Sequence, residues 1–100
     1  MFVQVSKTAD VASGELAAFE AGGERVAVAN VGGIFYAFSD VCTHRQCPLH
    51  KGDLEGTTVT CPCHGSQFDV TTGAVLNPPA VEPVKTFRVR VEDDALTVEV

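Results

Sequence analysis

The chain has 100 residues, of which 45% are hydrophobic and 20% are charged, and this is the composition of one ordinary globular domain. A domain of this size has one modest core and no room for a separate substrate domain, which excludes a large oxygenase or dehydrogenase. The formal net charge of -6, with the seven basic residues scattered along the chain, argues against nucleic acid and anionic membranes as partners.

The first forty residues consist of short alternating segments separated by turns, and no segment keeps a helical period for three turns. We expect a turn or a single helical turn at residues 10–14 and strands at residues 2–6, 15–21, 24–30 and 33–39. Gly22-Gly23 and Gly32-Gly33 separate the last three strands, and such pairs suit tight hairpins because glycine adopts positive φ freely.

The composition changes between residues 40 and 83, where all four cysteines, all three histidines and all five prolines lie. Only residues 57–60 and 73–76 are candidates for short strands there. We predict a loop-built subdomain inserted at 40–83, which a hydrophobic core of its own cannot order and which something else must therefore hold.

The last segments alternate most clearly, with apolar residues at Phe87, Val89 and Val91 and again at Leu96, Val98 and Val100. Asp93-Asp94 lies between them and predicts a hairpin with one apolar face and one charged face. Residues 1–100 are therefore expected to form one all-β domain, an antiparallel β-sandwich or small barrels that carry the inserted subdomain.

Two Cys-His clusters lie within the insertion. Cys42-Thr43-His44 is followed, after sixteen intervening residues, by Cys61-Pro62-Cys63-His64. Thiolate and imidazole bind borderline and soft metals. Two loops that each present one cysteine and one histidine can therefore close a four-ligand site around one ion or a small cluster. The pattern indicates a metal centre.

The segments CTHRQCPL and CPCHGSQFD resemble the motif of Rieske iron-sulfur proteins. The resemblance implies one [2Fe-2S] cluster per chain, with Cys42 and Cys61 on one iron and His44 and His64 on the other. It also implies a disulfide between Cys47 and Cys63, as in the respiratory and photosynthetic members and in only some of the soluble ones. The alternative for this pair is two buried free thiols.

The resemblance also implies roles for residues around the cluster. Ser66 is similar to the family serine that donates a hydrogen bond to a cluster sulfide, with a loop serine bonded to its own backbone as the alternative. Phe68 stands where high-potential members have a tyrosine, and it can pack but cannot donate a hydrogen bond. Gly65 would let backbone amides approach the sulfides.

Other loop residues have simpler expected roles. Five residues are expected to form an apolar collar around the two ligand histidines, or only to stiffen the loops: Pro48, Leu49, Pro62, Pro78 and Pro79. His50 is expected to be an exposed loop residue, and Gly52 and Gly56 are expected to be ordinary turn residues.

The resemblance implies a soluble one-electron carrier, a Rieske-type ferredoxin that passes electrons from a reductase to an oxygenase or a cytochrome. It is not expected to be an enzyme, because three histidines, two of them in the cluster, cannot also build a mononuclear iron site. The alternatives are a small subunit of a larger reductase such as nitrite reductase, and a structural zinc module that uses the same four ligands.

Three further expectations concern the surroundings of the protein. No apolar run is long enough for a membrane span and residues 1–10 have no signal-peptide pattern, so we expect a monomer in the cytoplasm. Ferredoxins that feed ring-hydroxylating oxygenases usually lack the Cys47 and Cys63 pair, so the resemblance leaves the identity of the acceptor open.

Overall fold

The computed structural model describes residues 1–100, and antiparallel β-strands make up almost all of its regular structure. Eleven strands follow one another along the chain: β1 (Phe2–Lys7), β2 (Leu16–Ala21), β3 (Glu24–Val31), β4 (Ile34–Ser39), β5 (Asp53–Glu55), β6 (Thr58–Thr60), β7 (Gln67–Asp69), β8 (Val75–Asn77), β9 (Thr86–Phe87), β10 (Val89–Glu92) and β11 (Ala95–Glu99). Two 3₁₀ helices, Thr8–Asp10 and Leu49–Lys51, interrupt them. The predicted all-β class is confirmed.

The strands form three sheets. The first sheet has the order β1-β11-β10, the second has the order β2-β3-β4-β9, and the third has the order β5-β6-β7-β8. The third sheet lies entirely within the predicted insertion, whereas the first two contain the segments before and after it. The N-terminal and C-terminal segments of the chain thus form the two sheets from which the insertion extends.

Two-residue turns connect three of the hairpins, as predicted. Gly22 and Gly23 have φ of 56° and 82°, and Gly32 and Gly33 have φ of 60° and 94°. Positive φ at both positions is the geometry of a type I′ turn, which matches the twist of paired strands. The third turn uses Asp93 and Asp94, at φ of 48° and 68°, because a short polar side chain also tolerates this region.

Strand β3 lies at the centre of the molecule and is buried on both faces. Val26 and Val28 belong to a core shared with the first sheet, whereas Ala27 and Ala29 belong to a second core shared with the third sheet. The alternation of large and small residues in VAVA therefore gives each core its own side of one strand.

The insertion has more regular structure and more core than the sequence predicted. Leu49, Val59 and Phe68 are fully buried there, and β5 and β7 were not predicted. The core that contains these residues is not the insertion's own, because it also includes Ala27 and Ala29 of β3. Strands of three residues are too short to show a period, but neighbouring strands and β3 still cover their apolar side chains.

The C-terminal hairpin departs from its predicted pattern on one strand. In β11, Leu96 and Val98 are fully buried, but in β10 Val91 is 49% exposed. Strand β10 is the edge of its sheet, so less of its apolar face is covered. None of the helices has the length and apolar character needed to cross a bilayer.

Candidate metal centre

Two six-residue loops of the same construction carry the predicted ligands. In the first ligand loop, residues 42–47, the Cys42 amide donates to the Cys47 carbonyl at 3.0 Å and the Gln46 amide donates to the Cys42 carbonyl at 2.8 Å. The second ligand loop, residues 61–66, repeats both bonds, from Cys61 to Ser66 at 2.7 Å and from Gly65 to Cys61 at 3.2 Å. Each loop is thus closed by its own backbone.

The fifth residue of each loop has positive φ, 57° at Gln46 and 80° at Gly65. A Cβ added at Gly65 would meet no atom within 4 Å. Glycine is therefore needed here for the positive φ and not because another atom packs closely against its Cα. The predicted role of Gly65 in admitting backbone amides stays a prediction.

The loops separate the two kinds of ligand by depth. Cys42 and Cys61 are 1% and 3% exposed, and both are free thiols. His44 and His64 lie on the surface, with ring centroids 5.4 Å apart and ring planes at 87°. Two thiols therefore lie on the side of the core and two imidazoles on the side of the solvent.

The environment of Cys61 indicates what the thiols could bind. Burial raises the pKa of the Cys61 thiol, and a hydrogen bond with the Cys42 thiol raises it further, whereas backbone amides of Cys63 and His64 lower it. Two buried thiols can lose their protons when a metal cation binds between them, because the cation compensates the charge of both thiolates. The donor set fits an iron-sulfur cluster with mixed sulfur and nitrogen ligands.

A disulfide between Cys47 and Cys63 joins the two ligand loops. The Cα atoms of the bonded cysteines are 6.4 Å apart. The Sγ atom of Cys61 lies within 4.8 Å of both sulfur atoms of the disulfide. The resemblance implied this pair, and the alternative of two buried free thiols does not describe the structure. Cys63 is exposed, so the bond reaches the surface beside His64.

Ser66 is the last residue of the second ligand loop and Phe68 follows it in β7, and neither is accessible to solvent. The Ser66 hydroxyl oxygen accepts the Ala80 amide hydrogen at 3.0 Å, so it does not bond its own backbone. A hydroxyl group can also donate, and its hydrogen stays available for another acceptor. Phe68 packs in the same core as Cys42 and Cys61.

The predicted apolar collar is only partly present. Pro62, Pro78 and Pro79 are exposed and Pro48 is half-buried, but Leu49 is fully buried in the core. Leu49 begins a 3₁₀ helix whose apolar residue faces inward, so it cannot take part in a surface collar.

Three polar contacts around the loops were not predicted. The Thr43 hydroxyl donates to the Glu82 carbonyl at 2.7 Å, and the Asn77 side-chain amide donates to the Gly65 carbonyl at 3.4 Å. His50 is not the exposed loop residue expected from the sequence, because its ring Nδ1 lies 2.8 Å from Oδ2 of Asp40. These partners are ten or more residues apart, so no local pattern indicates them.

The combination of small antiparallel sheets with two Cys-His loops fits a small iron-sulfur electron carrier. The family model of the Rieske [2Fe-2S] domain matches residues 1–88. The ferredoxin component of biphenyl 2,3-dioxygenase from Rhodococcus jostii (strain RHA1) is 40% identical over 96 residues, which are 96% of this chain and 90% of that protein.

Two solved structures are similar in fold over nearly the whole chain. The ferredoxin of carbazole 1,9a-dioxygenase from Nocardioides aromaticivorans IC177 has a TM-score of 0.95 at 32% identity, covering 98% of this chain and 96% of that one. The ferredoxin in a complex of reduced oxygenase and oxidised ferredoxin of carbazole 1,9a-dioxygenase has a TM-score of 0.91 at 34% identity, covering 97% and 91%.

The chain belongs to the Rieske [2Fe-2S] domain family, and within it the chain is a ferredoxin, a one-electron carrier with one [2Fe-2S] cluster rather than a catalytic subunit. This confirms the function predicted from the two motifs. The same relatives favour the electron carrier over the small subunit of a larger reductase and over a structural zinc module.

Proposed function

We propose that Cys42, His44, Cys61 and His64 hold the [2Fe-2S] cluster of this ferredoxin, with the thiolates on one iron and the imidazoles on the other. The separation of buried thiols from exposed imidazoles supports this assignment. When bound, such a cluster supplies reversible one-electron chemistry within a range of about -150 to +300 mV. The proposal takes residues 1–100 as one domain and residues 40–83 as its cluster-binding insertion.

The surrounding residues serve this role in three ways. The core at Cys42 and Cys61 keeps water from the thiolate side, which limits hydrolysis and iron loss. The exposed imidazoles of His44 and His64 bring the other side to the surface, where a redox partner can approach closely. The disulfide keeps the two loops together even in the protein without its cluster.

We infer that the acceptor is the oxygenase component of an aromatic-ring dioxygenase and that a reductase is the donor, both in the cytoplasm. Similar proteins of nearly the same length are ferredoxin components of biphenyl and naphthalene dioxygenase systems, and a ferredoxin of this fold forms a complex with an oxygenase. A cytochrome acceptor is the second candidate, and the disulfide between the ligand loops favours it.

The ligand assignment is tested by iron and sulfide analysis and by EPR of the reduced protein. The wild-type chain is expected to contain two irons and two sulfides and to give a rhombic signal, whereas Cys42→Ala and His64→Ala lose the cluster. Thr43→Ala, which changes a residue inside the same loop, retains it. Full iron content in both ligand variants would refute the assignment.

The acceptor is tested by reconstitution with the reductase and oxygenase components of a biphenyl dioxygenase. We expect reduced ferredoxin to be oxidised by the oxygenase in step with product formation, and its midpoint potential to lie below zero. A clearly positive potential, together with oxidation by a c-type cytochrome and not by the oxygenase, would favour the second candidate instead.

A further inference from the structure

A fully buried carboxylate lies at the entrance to the first ligand loop. Asp40 directly follows β4, precedes Cys42 by two residues, and has no solvent-accessible surface. A carboxylate is costly to bury unless hydrogen bonds and opposite charge compensate it. The hydrogen-bond partners of Asp40 therefore show which segments of the chain this residue connects.

His50 supplies two hydrogen bonds to this carboxylate. The His50 backbone amide donates to Oδ1 of Asp40 at 2.7 Å, and the His50 ring Nδ1 lies 2.8 Å from Oδ2. A carboxylate without a proton only accepts hydrogen bonds, and the ring Nδ1 is then the donor of this one. Arg25, whose side chain is 53% exposed, adds a longer ion pair at 3.6 Å.

The Asp40 backbone adds a bond to β3 and a further bond to the 3₁₀ helix that contains His50. Its amide donates to the Arg25 carbonyl in β3 at 3.0 Å, and its carbonyl accepts the Leu49 amide at 2.8 Å. Immediately beyond, Val41 and Pro48 form an isolated antiparallel bridge. The chain thus leaves the second sheet at Asp40, makes the first ligand loop, and returns to Asp40 at His50.

We propose that Asp40 and His50 are a positioning pair, which fixes both ends of the first ligand loop and so places Cys42 and His44 relative to the second ligand loop. The inference rests on the ligand set proposed above. The second loop is followed directly by β7 in the third sheet, whereas the first loop is followed by a 3₁₀ helix that Asp40 ties to the second sheet. A loop without a strand at its return end needs such an attachment.

The test compares holoprotein variants at His50, whose side chain is 27% exposed. His50→Ala removes the ring bond and keeps the backbone bond. We expect it to shift the midpoint potential and the EPR line positions, and to speed iron release to a chelator about ten-fold, the factor expected for one charge-assisted hydrogen bond. His50→Asn keeps a donor near the Nδ1 position and is expected to restore wild-type values.

Lys51→Gln is the matched control, because Lys51 is the exposed neighbour of His50 in the same 3₁₀ helix. It should leave the iron release rate and the EPR line positions unchanged. Wild-type behaviour of His50→Ala overturns the proposal, as does a lower melting temperature with an unchanged potential and EPR spectrum. His50→Asn behaving like His50→Ala also overturns it, because a donor at that position would then not matter.

The outcome is separable from that of the ligand assignment. If the wild-type chain binds no cluster, or if Cys42→Ala retains one, the proposed ligand set is wrong. If the wild-type chain binds the cluster through those ligands and His50→Ala matches it in potential, spectrum and release rate, only the positioning pair is wrong.

Discussion

Ser66 shows how one side chain can serve both the fold and the cluster. Its hydroxyl oxygen accepts the Ala80 amide hydrogen while its own hydrogen stays available, and the residue is fully buried at the last position of the second ligand loop. A hydrogen bond to the cluster would be stronger in the reduced state, which carries one more negative charge. Such a bond raises the reduction potential.

We therefore expect Ser66→Ala to lower the midpoint potential by roughly 60 to 130 mV, the electrochemical equivalent of one hydrogen bond to a charged group. A spectroscopic redox titration measures it. Ser39→Ala is the control, since the Ser39 hydroxyl also accepts a backbone amide hydrogen, that of Val41, but before the first ligand loop. An unchanged potential in Ser66→Ala shows that its hydroxyl does not donate to the cluster.

At the scale of elements, the disulfide connects two loops that no strand pairing joins. Cys47 and Cys63 are separated by 16 residues, and closing a loop of this length restricts the unfolded chain by about 3 kcal/mol. We expect the double variant Cys47→Ala/Cys63→Ala to be less stable by about this amount and to lose iron faster. Thermal unfolding and iron release measure the two effects.

The oxidation state of these two cysteines can be measured in the wild-type protein. After denaturation, cluster removal and thiol alkylation without a reductant, mass spectrometry should find two modified cysteines, Cys42 and Cys61. Four modified cysteines would show that the isolated protein does not contain the disulfide.

Gly52 connects the 3₁₀ helix to β5 and is more than the turn residue that the sequence predicted. A Cβ at this position would overlap the Thr60 carbonyl, directly before Cys61. We expect Gly52→Ala to cost about 2 kcal/mol, or roughly 10 °C in melting temperature, because backbone must move. Gly56→Asn is the control, since Gly56 has open space around it and asparagine tolerates its φ of 58°. Equal melting temperatures of Gly52→Ala and the wild type would contradict this packing.

The sequence indicates some elements better than others for physical reasons. Strands β2, β3 and β4 are predicted within two residues at every boundary, because alternation and glycine turns are local properties. The ligand spacing is also local, which is why two motifs were enough to predict a metal centre. The bond between Asp40 and His50 and the burial of Leu49 depend on how distant segments meet, and no local pattern records that.

At the scale of the whole molecule, β3 divides the interior into two cores with different roles. The core shared by β3 with the third sheet contains Cys42, Cys61 and Phe68, whereas the core shared with the first sheet contains no residue of the two ligand loops. The same cavity should therefore lower stability on either side, but it should change the cluster geometry only on the side of the third sheet.

Val59 and Val98 make a matched pair for this test, because both are valines in strands with no solvent exposure, one in each core. We expect Val59→Ala and Val98→Ala each to lower stability by about 2 kcal/mol, the cost of the lost methyl groups plus the cavity. Val59→Ala should also shift the midpoint potential and EPR line positions, since Val59 packs in the core that contains both thiols. Val98→Ala should leave both unchanged, and an equal spectral shift in the two variants would mean that the cores act as one.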